Sequence, residues 1–405
     1  MRNPAVELRL APPLFPADLG EFGGRIDAVC AELARTAAER DRAGGTAFDQ
    51  RRLLRESGLL ALAVPAALGG AGADWPLVFR GVRRLAQVDS SMAHLFGFQH
   101  LQVATVLLFG ADEQQQRYLV PTVSERWFWG NAVNARDTRL KVTRVADGWQ
   151  LDGVKAFCSG ARDSDALVVS IAAGPAPTER LYLVLPTARE GITVNDDWDN
   201  MGQRQTDSGS VSFHQVRASD AEVLGPPGAA SSPRATLRNV IGQIVLTEIY
   251  LGNAQGALLS AIDYVRTQVQ PWVMAGVERA VDDPMLQKRA GELWAALRAA
   301  TALSEEANAA FQQAWALGTG LTAAQRGQLS TLVAAARGTA ARTALQVTSE
   351  IFELMGARAT TAGLAHDRYW RNVRVHTVHD PLDYRSKEIG RWLFTGEAPD
   401  PYGYG

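Results

Sequence analysis

Cysteine and histidine are scarce in this 405-residue chain, with two of the first and six of the second. Cys30 and Cys158 are too few for a disulfide framework and follow no zinc-ligand spacing, so a reducing cytoplasm fits best. Neither sign of charge dominates: 41 Lys and Arg face 43 Asp and Glu, for a net −2. Nucleic acid and anionic membrane surfaces both demand a clustered basic excess, and neither is expected as a partner. Long apolar runs are missing too. The longest stretch without formal charge, residues 90–111, is interrupted by His94, Gln99, His100 and Gln102, so it reads as no membrane span. Met1 to Pro16 holds no apolar signal-peptide region. Nucleotide fingerprints are lacking as well. Gly69-Gly70-Ala71-Gly72 and Gly318-Thr319-Gly320 sit between helical patterns and read as turns, while a P-loop and a G-x-S-x-G elbow are absent.

What is present is a large apolar fraction, 46%, in a chain longer than the roughly 300 residues at which one core stops growing, so two or three domains with room for a pocket are expected. Helical spacing covers Leu19 to Arg42, with Cys30 a small core residue, then Phe48 to Leu60, Pro76 to Phe109 and Asp112 to Ser124, where Asp112 is a candidate N-cap. From Trp127 the texture turns to short strands: 127–133, 141–145, 149–157, 166–171, 181–185, 191–195 and 210–214, with His214 on the outward face of the last. After a Gly/Pro/Ser linker at 225–233, long helices return, separated by Pro271, Pro284 and the Gly318 turn. The predicted domains are an all-α unit at 1–125, a β unit at 126–228 and a helical bundle at 229–405, a multidomain α+β architecture without βαβ alternation.

Two places carry chemistry. His376-Thr377-Val378-His379-Asp380 pairs two imidazoles with a carboxylate. A metal set there lacks a third local ligand, whereas proton transfer near neutral pH and a structural histidine pair both remain open. Lys155 to Ala161 ends a strand in an aromatic, a thiol and a hydroxyl, the kind of strand end that lines sites; no base neighbours Cys158, which reads as a buried thiol.

The strings E-R-D-R-A-G-G (39–45), V-P-A-A-L-G-G-A-G-A-D-W-P (64–76), A-H-L-F-G-F-Q (93–99), F-C-S-G-A (157–161), D-D-W-D-N-M-G-Q-R-Q-T-D-S-G-S (196–210), Y-V-R-T-Q-V-Q-P-W (264–272), G-A-R (356–358) and D-R-Y-W-R-N-V-R-V-H-T-V-H-D-P (367–381) span nearly the whole chain. Together with the α/β/α order they resemble the oxygenase branch of the acyl-CoA dehydrogenase fold, the two-component flavin monooxygenases that oxidise dibenzothiophene-like substrates. The resemblance implies a helical N-terminal domain, a middle β-barrel or sandwich and a C-terminal four-helix bundle, assembled as a homotetramer. It also implies reduced FMN supplied by a separate NADH-dependent flavin reductase, O2 added at flavin C4a, and one oxygen passed to a small apolar, organosulfur molecule, thioether to sulfoxide to sulfone.

Carried over position by position, the resemblance puts Phe157, Cys158, Ser159, Trp198 and Asn131 at the isoalloxazine. Arg358, with Ala359, Arg266 and Gln270, falls at the FMN phosphate, where a guanidinium fork suits the oxygens. His379, backed by His376, and His94 fall around the reacting oxygen. Phe96, Phe98 and Trp129 are candidate walls of a dry substrate pocket, each equally readable as core. Two departures stand out. Phe98 replaces the family's tyrosine, removing a hydroxyl from the substrate side, and Gln270 replaces an arginine of the phosphate clamp, which implies weaker FMN binding. The alternatives are an FAD-dependent acyl-CoA dehydrogenase, with Asp380 near the place of its catalytic carboxylate, and oxygenation of an indole, other aromatic or amine.

Overall fold

The computed structural model describes residues 14–134, 136–174, 179–226 and 229–399. Five helices open the chain: α1 (Gly23–Ala43), α2 (Phe48–Glu56), α3 (Trp75–Ala86), α4 (Ser90–Phe109) and α5 (Asp112–Ser124). The single helical pattern expected from Pro76 to Phe109 is broken at Asp89, whose carboxylate caps α4 by accepting from Met92 N at 2.9 Å, while Asp74 caps α3 in the same way. At α5 the expected cap is displaced by one residue: Ala111 is the N-cap and Asp112 the first helical residue, its charge beside the helix's positive end. Cys30 is fully buried in the core, as its spacing on α1 predicts.

Seven strands follow: β1 (Trp129–Ala132), β2 (Lys141–Val145), β3 (Gly148–Lys155), β4 (Ala166–Ala172), β5 (Arg180–Pro186), β6 (Ile192–Val194) and β7 (Val211–Ser219). They form two sheets, ordered β1-β4-β5 and β2-β3-β7-β6, with β1 and β4 parallel and the other pairs antiparallel. β4 explains how the layers join. Ala166 and Val168 face the helical core, whereas Leu167, Val169 and Ile171 face Leu151, Val211, Phe213 and Val216 of the second sheet. A strand buried on both faces has no polar side to show, hence its almost wholly apolar run, and its one hydroxyl, Ser170, donates to the Val133 carbonyl at 3.1 Å. His214 on β7 is exposed, as its alternation predicts.

The chain returns to helices in α6 (Leu237–Thr267), α7 (Pro284–Ala316) and α8 (Ala323–Met355), then α9 (Asp367–Thr377) and α10 (Leu382–Thr395). α6 lies at the centre against α3, α4, α7 and α8. Gly252 and Gly256, one turn apart on α6, let α3 approach: a Cβ there would stand 2.1 Å and 1.9 Å from the carbonyl oxygens of Arg83 and Gln87. α4 is long and apolar enough to cross a membrane by length and composition, yet 83% of its most apolar window is buried inside the fold. That central position makes it the floor of the site.

Candidate active site

Positions 94, 98, 102 and 105 recur at helical spacing and place His94, Phe98, Gln102 and Thr105 along one side of α4. Opposite them runs the turn after β3. Phe157 there has a left-handed backbone (φ 60°), and the turn is stitched down by Cys158 N–H to Gly209 O at 2.9 Å, Gly160 N–H to Thr206 O at 3.1 Å and Asn131 N–H to Ser159 O at 3.0 Å. A non-glycine residue held left-handed costs of order 1–3 kcal/mol and persists only where its surroundings dictate it. Gln203 and Asp207 are left-handed as well, in the facing segment. Strain collects where the two loops meet.

His94 Nε2 lies 3.0 Å from Ser159 Oγ, and its ring stacks on Phe98 (centroids 4.1 Å) and on His376 (5.0 Å). His376 occupies the last turn of α9, and His379 follows in the turn before α10. Burial, with a smaller contribution from His379, lowers the His94 pKa to about 3. Burial first, then the neighbouring imidazoles and Arg337, push His376 well below the usual histidine value, and burial and Arg337 lower His379. The three rings therefore sit neutral together at ordinary pH. His94 Nδ1 and His376 Nδ1 are buried without a hydrogen-bond partner. Such orphaned acceptors or donors mark a place where another molecule belongs.

Asn131 on β1 joins the cluster through its side chain: Nδ2 donates to the Phe157 carbonyl at 3.4 Å and Oδ1 accepts from Gln102 Nε2 at 3.0 Å. Gln102 Oε1 accepts in turn from Arg238 of α6 at 3.3 Å, and Arg238 Nε also donates to Thr105 Oγ1 at 2.8 Å. This buried relay sets which way the Asn131 amide faces. Trp198 donates from Nε1 to the Gln203 carbonyl at 2.9 Å and stands edge-to-face to Phe157, whose ring is 55% exposed. An open aromatic face, an oriented amide and orphaned ring nitrogens fit a flat conjugated cofactor such as a flavin.

The structure thus brings together His94, Phe98, Asn131, Phe157, Ser159, Trp198, His376 and His379. Other expected residues lie elsewhere. Phe96 is in the helical core, edge-on to His100 and against Gly81, so it is no wall of this cluster. Trp129 packs on Tyr118 and donates to Thr122 Oγ1 of α5 at 2.9 Å, contacts that hold its ring on the α5 side, outside the hydrogen bonds of the cluster. The Cys158 thiol is buried, its pKa raised to about 12 by burial, and donates to the Lys155 carbonyl. Arg266 and Gln270 are exposed at and beyond the end of α6, and Arg358 is exposed on the turn after α8 beside buried Ala359, outside the hydrogen bonds that join the cluster. Among the described residues no three His, Cys, Asp or Glu gather as a metal-ligand set.

Sequence reasoning missed Gln102, Arg238, Thr206, Ser208 and Arg337. Only Gln102 had a local signal, two helical repeats after His94. Asp380 also changes meaning. Its carboxylate is bound by Arg337 of α8 at 2.9 Å and by Arg385 of α10 at 2.9 and 3.1 Å. Burial works to raise its pKa, but the two guanidiniums outweigh this and hold it below the usual range. A carboxylate clamped in this way makes a poor base for proton abstraction from an acyl thioester.

Models of the acyl-CoA dehydrogenase N-terminal, middle and C-terminal domains match residues 26–126, 123–216 and 244–384. The chain is 43% identical to the probable FMNH2-dependent monooxygenase SfnC of Pseudomonas putida, over 93% of this chain and 95% of the relative. It is 42% identical to the dibenzothiophene monooxygenase of Mycolicibacterium goodii, over 92% and 94%. The chain belongs to the FMNH2-dependent monooxygenases of the acyl-CoA dehydrogenase fold. Its structure superimposes on TdsC of Paenibacillus sp. A11-2, solved with FMN and indole, at a TM-score of 0.90, 39% identity and coverage of 94% and 99%.

Proposed function

We propose that this monooxygenase inserts one oxygen atom from O2 into a small apolar organosulfur compound, using reduced FMN delivered by a separate NADH-dependent flavin reductase in the cytoplasm. The observation that carries the reading is the charge-free cluster of His94, Ser159, His376 and His379 against the open faces of Phe157 and Trp198. Reduced FMN, when bound, activates O2 and supplies the oxygen atom. Everything else falls to the protein. Phe157, Trp198 and Asn131 orient the ring system. Arg358, with Arg266 and Gln270, holds the phosphate, and Phe98 lines the substrate side. His379, the most accessible of the three imidazoles, manages the proton, and the neutral rings behind it keep bulk water and ionic groups away from the reacting atoms. The working form is a homotetramer, in keeping with the apolar surface left on α10 and on the loop after α6.

The test supplies FMN, a flavin reductase, NADH and O2 with a panel of thioethers, sulfones, sulfonates, indoles and phenols. The expected result is a product one oxygen heavier from a sulfur compound. Peroxide alone with every candidate, or gain of oxygen only by indoles or phenols, would overturn the substrate class.

A further inference from the structure

The hydrogen bonds behind His94 run in one direction only. Thr206 Oγ1 donates to the Gln203 carbonyl at 2.9 Å, and a carbonyl has no proton to return. That commits the only proton on the Thr206 hydroxyl. Ser208 Oγ, 2.8 Å from Thr206 Oγ1, must therefore be the donor of their contact. With its own proton spent, Ser208 accepts from Ser159 across 2.7 Å, and Ser159 accepts from His94 Nε2 across 3.0 Å. A neutral imidazole carries one N–H. His94 is thus the Nε2–H tautomer, and its Nδ1, buried and without a partner, keeps a lone pair.

The chain is built to stay polarised. His94, Ser159, Ser208, Thr206 and Gln203 are between 1% and 5% exposed, which leaves little access for water to reverse a link. Its terminal carbonyl is fixed from several sides: Gln203 N–H donates to Asn372 Oδ1 on α9 at 2.6 Å, and the Gln203 amide donates to Ser90 Oγ at the start of α4 at 2.6 Å. The same carbonyl also accepts from Trp198.

We propose that Ser208 and Thr206 are positioning residues of the oxygenation reaction, directing the hydroxyl protons away from the site so that His94 presents Nδ1 as a hydrogen-bond acceptor and not as a donor. Neutral at working pH, His94 accepts a hydrogen bond from the reacting group without removing its proton. This consequence rests on the oxygenase reading; the direction of the chain does not.

The test therefore has two arms. In flavin-free protein labelled with 15N-histidine, the His94 signal, identified by its loss in His94→Asn, should show Nδ1 unprotonated and Nε2 protonated. Ser208→Ala and Thr206→Val each free a proton in the chain and should yield a mixture of tautomers, whereas Thr206→Ser restores the wild-type state. In turnover, Ser208→Ala and Thr206→Val should lower product per NADH consumed about tenfold, the size of one lost hydrogen bond, with KM for the thioether unchanged and Thr206→Ser recovering the yield. Thermal melting checks that each variant is folded. An Nδ1–H ring in the wild type, or variants that leave both ring state and yield unchanged, would overturn the proposal. Absence of oxygenation by the wild type would remove the functional reading alone, since the NMR arm needs neither flavin nor substrate.

Discussion

Single histidines decide most of what this protein should do with pH. His94 and His100 are pushed by burial to about 3, and His376 is well below the ordinary 6.5. Each is neutral in the folded chain and gains a proton below pH 6.5 only on unfolding. Their contribution to stability is complete above that pH and is lost as pH falls towards the folded values. His100 lies outside the candidate cluster, fully buried and edge-on to Phe96. His100→Leu removes one such group, so between about pH 5.5 and 4 the unfolding free energy should lose about 1.4 kcal/mol per pH unit of its slope. Denaturant titrations across that range measure it, and an unchanged slope would contradict the neutral burial of His100. At the reaction, His379→Ala should leave FMN bound while product per NADH falls on the order of 100-fold. Unchanged yield would take the proton-handling role from His379. Phe98→Tyr restores the family hydroxyl beside His94 and should raise conversion of dibenzothiophene, read as sulfone formed.

The decisive element is the short connection from α9 to α10. Pro381 is the N-cap residue of α10, and just before it Asp380 ties α8 and α10 together through Arg337 and Arg385. Because His376 and His379 flank this tie, the clamp holds both imidazoles against α4. Asp380→Asn should destabilise the fold by about 3 kcal/mol, since two guanidiniums lose their buried counter-charge, and the melting temperature should drop accordingly. A melting point equal to the wild type would show that the clamp carries no stability. The helical character of residues 76–109 and the strands was legible from the residues alone, but not the break at Asp89 that separates α3 from α4, and Asp112 was misplaced by one position because Ala111, which has no capping side chain of its own, is the N-cap, its N–H bound by Gln114 Oε1 at 3.1 Å.

At the scale of the molecule, apolar surface remains uncovered. Trp272, Val273 and Met274 are 71%, 82% and 81% exposed, and Leu393 and Phe394 on α10 are 68% and 92% exposed. Exposed apolar clusters of this kind mark interaction surfaces, so sedimentation should give the mass of a tetramer, reduced by Phe394→Glu. The proposed phosphate contacts belong at this scale too, because Arg266, Gln270 and Arg358 lie exposed, away from the cluster. Gln270→Arg should tighten FMN binding about tenfold, through one added charge-assisted hydrogen bond. A titration showing equal affinity would mean that Gln270 is not at the phosphate.

Residue order by itself determined the α/β/α sequence of elements and the family, and pointed to the histidines and serine of the candidate site, since periodicity and long motif strings are local properties of the chain. Only the tertiary structure decided which aromatics belong to the pocket and which to the core. Phe96 and Phe98 are two residues apart on one helix and face different neighbours, and the Trp129 ring is held by Tyr118 and Thr122 of α5 while the Asn131 amide meets Gln102 of α4. It also decided the direction of the hydroxyl chain and the charge of the imidazoles. Those depend on which donor meets which acceptor after chain segments 65 and 49 residues apart have closed on one another and excluded water.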